Sequence, residues 1–252
     1  MLKRKVYSVI LLILICISLS LGINHKERAT FFRTNRKVPI YSVCTNEKKV
    51  AITFDTNWGK DNTKEILELL AKYNVKATFF IIGKWANEFP DEVKQIYTQG
   101  HEIGNHSYKH PNMTQLSNDK IRSEILTTDE KIIEITGQTT KIFRCPEGTY
   151  NDLVIKTTES IGKYCIQWDV DSIDWKEQGA EIEYQRVITK SKSGSIILFH
   201  NNAKYTPQNL PKIIEKLQNN GYKFVTVSDL IYKNNFYLNN EGKQIPDNTI
   251  AN

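Results

Sequence analysis

Apolar runs of strand length alternate along this chain with segments whose apolar positions recur every three to four residues. That is the pattern of β/α units wrapped around parallel strands. Residues 49–55 form the first run and read as a strand. A helix is expected over 62–73, with Ile66, Leu67, Leu69 and Leu70 on its buried side. A strand over 77–82 and a helix over 91–98 follow, the helix opened by Pro90 and stopped by Gly100. The longest helix is expected over 117–136. Ser117 stands where a cap belongs, Gly137 where a stop belongs, and Ile121, Ile125, Ile132 and Ile135 repeat at helical spacing. Residues 142–144 and 164–170 read as strands separated by a helix over 151–161. A helix over 181–190, a buried strand over 195–200, a helix over 208–219 and a strand over 222–227 complete the series. The fold class is therefore α/β, a distorted (β/α) barrel with about six or seven parallel strands, fewer than a regular eight-unit barrel.

Length and charge narrow the organisation. With 252 residues the chain has one full-sized core and appendages, not two large domains. Lys3, Arg4 and Lys5 precede an almost wholly apolar stretch over 9–22, so residues 1–23 read as a signal peptide or a membrane anchor. Cys16 inside that stretch follows Ile15, too bulky for a lipoprotein processing site. Residues 24–47 form a basic linker, 48–231 the folded domain and 232–252 a polar, mobile tail. The net charge of +6 is concentrated at the start, leaving the remainder slightly acidic. A basic juxtamembrane segment of this kind either favours an anionic lipid or wall surface or simply solvates a linker. Nucleic acid is not an expected partner, because the folded part is not basic and has no stacking motif. Cys44, Cys145 and Cys165 are odd in number, and no disulfide is assigned.

The candidate chemistry sits at the ends of the apolar runs. Asp55 closes the first strand, which places a carboxylate at the mouth of a barrel, where a general base belongs; alone, it reads equally as a turn cap. His106 and His110, four apart, would share one face of a helical turn and suit a single metal ion, with room for a carboxylate and a water. His101 is expected outside this site. Arg144 begins a loop that holds Pro146 and Gly148, and Asp174 is the carboxylate expected to pair with it. Trp175 either stacks on a sugar or fills the core. His200 ends the buried strand, facing the same mouth as Asp55, where an imidazole can protonate a leaving amine. No serine or cysteine stands in a nucleophile elbow.

Taken in order, Thr53-Phe54-Asp55, His106 to His110, Arg144 to Gly148, Asp171 to Trp175 and Leu198-Phe199-His200 resemble the motif series of the polysaccharide deacetylases of carbohydrate esterase family 4, the NodB-homology domain. The resemblance covers residues 48–231. The stretch beginning at Thr53 looks most like the subgroup linked to sporulation and peptidoglycan maturation in Gram-positive bacteria. It implies a hydrolase that removes N-acetyl groups from amino sugars of a cell-wall glycan; the N-terminal segment would place that domain outside the cytoplasm, secreted or anchored to the membrane, and a monomer is expected. It further implies a divalent metal, zinc first, on His106 and His110; Asp55 as base and His200 as acid; Arg144 and Asp174 holding Asp55; Leu198 lining the acetyl pocket; and Trp175, Pro146 and Gly148 against the substrate.

One position departs from the family pattern. The resemblance implies a second aspartate directly after the base, as third metal ligand, and this chain has Thr56. Asn57 or a water would have to fill the place, so the site is a weak metal site, one selecting another metal, or an inactive relic. Cys145 and Glu147 also replace more usual residues in the arginine loop. The alternative function is a non-catalytic glycan-binding or sporulation-signalling protein on the same barrel.

Overall fold

The computed structural model describes residues 37–56, 58, 59 and 61–247, which belong to a single compact unit. The expected leader over 1–23, most of the basic linker and Asn57 lie outside the described residues. Among the described residues no helix is long and apolar enough to cross a membrane.

Seven parallel strands curl into a half-barrel. They are β2 (Lys49–Asp55), β3 (Thr78–Ile81), β4 (Glu102–Asn105), β5 (Ile142–Phe143), β6 (Tyr164–Cys165), β7 (Val170–Asp171) and β8 (Ile196–His200). Their order across the sheet is β6-β5-β4-β3-β2-β8-β7, and β9 (Lys223–Phe224) pairs beside the start of β2. Helices α1 (Thr63–Lys72), α2 (Gly83–Glu88), α3 (Pro90–Thr98), α4 (Asn118–Thr136), α5 (Asp152–Ser160), α6 (Ala180–Lys190), α7 (Thr206–Asn219) and the short α8 (Val227–Leu230) connect the strands.

The continuous apolar run of β2 follows from burial on both faces. Val50, Ile52 and Phe54 face the helix layer and join one core with Ile66, Leu67, Leu70 of α1 and Leu210, Ile213, Leu217 of α7. Phe54 stacks between Phe79 and Phe199 at centroid distances of 5.0 and 5.8 Å. The alternate residues, Ala51, Thr53 and Asp55, point into the barrel. The expected caps hold: Ser117 accepts the Lys120 N–H, and Gly137 ends α4 with φ 74°.

Three expectations change, and the sheet does not close. The strand expected over 164–170 is two strands, β6 and β7, because Asp169 turns its carboxylate back to accept N–H and O–H groups of Ile196 and Ser195. Helix α2 and strand β4 are additional elements, too short and too weakly apolar for periodicity to reveal. The stretch after 231 carries β10 (Phe236–Leu238) and β11 (Lys243–Pro246), and before residue 48 lies β1 (Ser42–Val43). These form a second sheet, β1-β11-β10, that extends the folded unit beyond 48–231. Finally, β6 and β7 do not pair; Ile40 bridges to Ile166 and Ser42 to Ser195, so the segment around β1 spans the gap that keeps the barrel open.

Candidate functional site

Strand ends supply the site, as parallel barrels dictate. Asp55 ends β2 and His200 ends β8, and the two are register partners across that strand pair. Thr53 and Leu198 are partners one pleat below. A cavity of about 430 Å³ opens above them, lined by Asp55, Thr56, His106, His110, Glu147, Trp168, Asp171, Trp175, Leu198 and His200.

Asp55 is held by a buried cation. Arg144 is fully buried, and its Nη1 donates to Asp55 Oδ1 at 2.6 Å and to Thr53 Oγ1 at 2.9 Å, while Nη2 donates to the Gln167 carbonyl at 3.2 Å. The guanidinium lies 3.9 Å from the Phe80 ring centroid and 5.5 Å from that of Trp168, so aromatic faces support it on the apolar side. Burial alone would raise the Asp55 carboxyl, but the charge and hydrogen bond of Arg144, with His200 adding to them, outweigh it and leave it below the usual carboxylate range. The expected pairing of Arg144 with Asp174 does not occur.

Asp174 instead serves His200. Its Oδ1 meets His200 Nδ1 at 2.7 Å and its Oδ2 accepts the His200 backbone N–H at 2.7 Å. Burial would push the imidazole down, but hydrogen bonding and charge from Asp174 raise it above its ordinary value. With Nδ1 engaged, Nε2 is the nitrogen left for chemistry in the cavity. Behind this pair lies a residue that sequence reasoning did not find: Thr206 donates to Asp174 Oδ2 at 3.1 Å and stands 3.3 Å from Glu183 Oε1. Burial pushes Glu183 up to about 7. Its place in an amphipathic helix over 180–190 gave no sign of an inward role.

His106 and His110 do meet, at 5.0 Å between ring centroids, though not on a helical face. They sit in a loop after β4 in which Ser107 and His110 have φ of 64° and 58°. The loop is seated on Gly83, where a Cβ would stand 2.4 Å from the Tyr108 ring and 3.2 Å from its Cα; only glycine permits that approach. His106 Nδ1 lies 2.9 Å from the Arg144 carbonyl, which fixes it as the N–H and leaves Nε2 bare, 3.5 Å from Asp55 Oδ2. Burial pushes His106 down to about 4 and lowers His110 as well, so both rings are neutral donors of a lone pair.

As a three-ligand metal centre this set does not fit. A catalytic zinc takes three protein ligands and keeps an open position. Here the third place holds Thr56, a neutral hydroxyl whose oxygen already accepts the Ile82 N–H at 3.0 Å. Among the described residues no group of three His, Cys, Asp or Glu side chains is arranged to hold a metal ion.

Of the residues expected against the substrate, Leu198 and Trp175 line the cavity, Trp175 as a rim residue 58% exposed. Pro146 and Gly148 do not. Pro146 is buried, and Gly148 packs so closely on Trp168 that a Cβ would lie 3.0 Å from that ring. Glu147, between them, reaches the cavity, as do Trp168 and Asp171. Cys145 and Cys165 are free thiols with Sγ atoms 3.7 Å apart.

The polysaccharide deacetylase family profile matches residues 42–166. The chain is 31% identical over 198 residues to the peptidoglycan-N-acetylmuramic acid deacetylase PdaA of Bacillus subtilis, covering 77% of this chain and 75% of that protein. The chain belongs to the polysaccharide deacetylase family. This deacetylase-family chain is also 36% identical over 194 residues to the peptidoglycan-N-acetylglucosamine deacetylase PgdA of Listeria monocytogenes, covering 77% of this chain but only 41% of that longer protein. Among solved structures it superposes on BA3943, described as a CE4 family pseudoenzyme from Bacillus anthracis, with a TM-score of 0.74 and 36% identity over 82% of this chain and 70% of that one. A BA3943 mutant described as having restored enzymatic activity matches with the same TM-score and 38% identity, covering 82% of this chain and 73% of that one.

Proposed function

We propose that this chain is a hydrolase of cell-wall polysaccharide, peptidoglycan first, that cleaves the N-acetyl amide of an amino sugar to release acetate and a free amine, outside the cytoplasm. The observation that carries this reading is the register pairing of Asp55 with His200, each locked by its own buried partner, above Leu198 in one cavity. Asp55, kept ionised by Arg144, takes a proton from the attacking water. His200, kept protonated by Asp174, gives a proton to the departing nitrogen. Leu198 offers the acetyl methyl an apolar wall. The donor set falls one ligand short of a catalytic metal centre, and these steps rest on the chain's own base and acid.

The test is acetate release from peptidoglycan and from N-acetylated chitin oligomers by the full chain. Asp55→Asn should release none while remaining folded by circular dichroism, though less stable because the buried Arg144 loses its counter-charge; full activity in that variant would remove Asp55 as base. Thr56, together with the pseudoenzyme among the structural relatives, favours a second reading: a glycan-binding, sporulation-signalling protein on the same barrel. Saccharide binding without acetate release would select it.

A further inference from the structure

The relatives named above include one that acts on N-acetylglucosamine and one that acts on N-acetylmuramic acid, so likeness alone does not choose between the two sugars. The charge of the cavity does. Asp55 is neutralised by Arg144. Two further carboxylates line the cavity, Glu147 and Asp171, and neither enters an ion pair among the described residues. Asp171 spends Oδ1 on the Ile173 N–H at 2.7 Å. Both stand close enough to the imidazoles to act on them: Glu147 raises the proton affinity of His110, and Asp171 that of His200.

Among the described residues no lysine or arginine lines the cavity. Two cations stand near its rim: Arg186 donates to the Asp171 carbonyl at 2.7 Å, and Lys176 Nζ lies 4.9 Å from the Trp175 ring centroid. Deeper in, the side chain of Asp55 is 7% exposed, and its Oδ2 has only His106 Nε2 at 3.5 Å, an acceptor left open toward the cavity. The missing third ligand at Thr56 sharpens the effect, because no divalent charge is firmly held to offset these carboxylates.

We propose that this cavity selects glucosamine-type sugars, neutral when acetylated and cationic when their amine is free, and rejects muramic acid units, with Glu147 and Asp171 as the residues that set the choice. A muramyl unit brings a carboxylate on its lactyl ether, or on the peptide that extends it, and that charge meets two carboxylates that no salt bridge engages among the described residues. A protonated amine on a neighbouring sugar meets them favourably. Trp168 and Trp175 supply ring faces for the pyranose, which do not distinguish the sugars. This selection rests on the glycan-directed reading above but not on turnover.

The experiment titrates the full chain with three probes at mildly acidic pH: a glucosamine tetramer, its fully N-acetylated counterpart, and a disaccharide ending in N-acetylmuramic acid with a free lactyl group. Binding is followed calorimetrically and acetate is assayed in the same cells. At low ionic strength the glucosamine tetramer should bind most tightly and the muramyl disaccharide at least about fivefold more weakly than the acetylated tetramer, a size consistent with solvent-screened charges a few ångströms apart. The gap should close in about 0.5 M salt, as contact through size or shape would not. Glu147→Gln combined with Asp171→Asn, which keeps the side-chain oxygen that accepts the Ile173 N–H, should flatten the order.

Equal or tighter muramyl binding, a preference indifferent to salt, or no binding of any probe would overturn the proposal. Acetate release without charge preference would overturn it while leaving the deacetylase intact. Charge preference without acetate would uphold it and remove the deacetylase reading.

Discussion

Asp55 and His200 are paired in register across strands β2 and β8, yet each is held chiefly by a different partner. Arg144 reaches Asp55 from the end of β5, and Asp174 reaches His200 from beyond β7. The main opposing charge thus reaches each member from opposite ends of the sheet, so a change at one anchoring residue acts first on its own member of the pair.

Removing Arg144 leaves a carboxylate buried without its cation. Arg144→Ala is expected to cost about 3–5 kcal/mol of folding stability, measured by chemical denaturation. Adding Asp55→Asn to that background should recover part of the loss, since an uncharged amide no longer needs the guanidinium.

Asp174 sets the alkaline limit of activity. His200 must be protonated to act as acid, and Asp174 raises its proton affinity above the ordinary imidazole value. Asp174→Asn keeps an oxygen for the backbone N–H but removes the charge. The alkaline limb of the kcat/KM profile should shift to lower pH, while the acid limb, set by Asp55, stays in place. An unmoved alkaline limb would detach Asp174 from His200.

Thr56 decides metal occupancy. Thr56→Asp places a carboxylate beside the two lone-pair-bearing imidazoles, completing three protein ligands. Metal analysis after zinc exposure should rise from well below one to about one ion per chain. Added zinc at about a hundredfold excess over its dissociation constant should then stabilise the variant by about 2.7 kcal/mol.

His101 predicts acid sensitivity away from the site. Its Nδ1 accepts the Ala77 N–H at 3.2 Å, and burial with the nearby Lys76 lowers it from 6.5 to about 4. The folded state therefore resists a proton that the unfolded chain accepts. Stability is full above pH 6.5 and is lost as pH falls toward 4, by up to about 3 kcal/mol for this group. Thermal unfolding across that window should show the decline, and His101→Gln should soften it.

Much of the fold was legible because parallel strands buried on both faces leave continuous apolar runs, as in 49–55 and 195–200, and because α4 carries both a cap and a stop. The strand Glu-Ile-Gly-Asn before His106 left no such run, and it is the element that aims that ring. The histidine pair was found through its spacing, but the geometry behind it is a loop with two left-handed residues, not a helical turn. Partner choice was the least legible. Arg144 and Asp174 were both identified, yet which carboxylate the guanidinium meets depends on strand order, and β5 and β8 are brought round the same barrel mouth by pairings that no local pattern encodes. Glu147 was seen only as a departure, and Asp171 only as the start of a motif.

The small sheet β1-β11-β10 has a consequence for handling the molecule as a part. Ser42 pairs with Lys243 and Val43 with Gln244, in parallel, so two segments two hundred residues apart in sequence run side by side in the same direction. A chain trimmed to 48–231 would lose all three strands of that sheet, together with the bridges that Ile40 and Ser42 make beside the gap between β6 and β7.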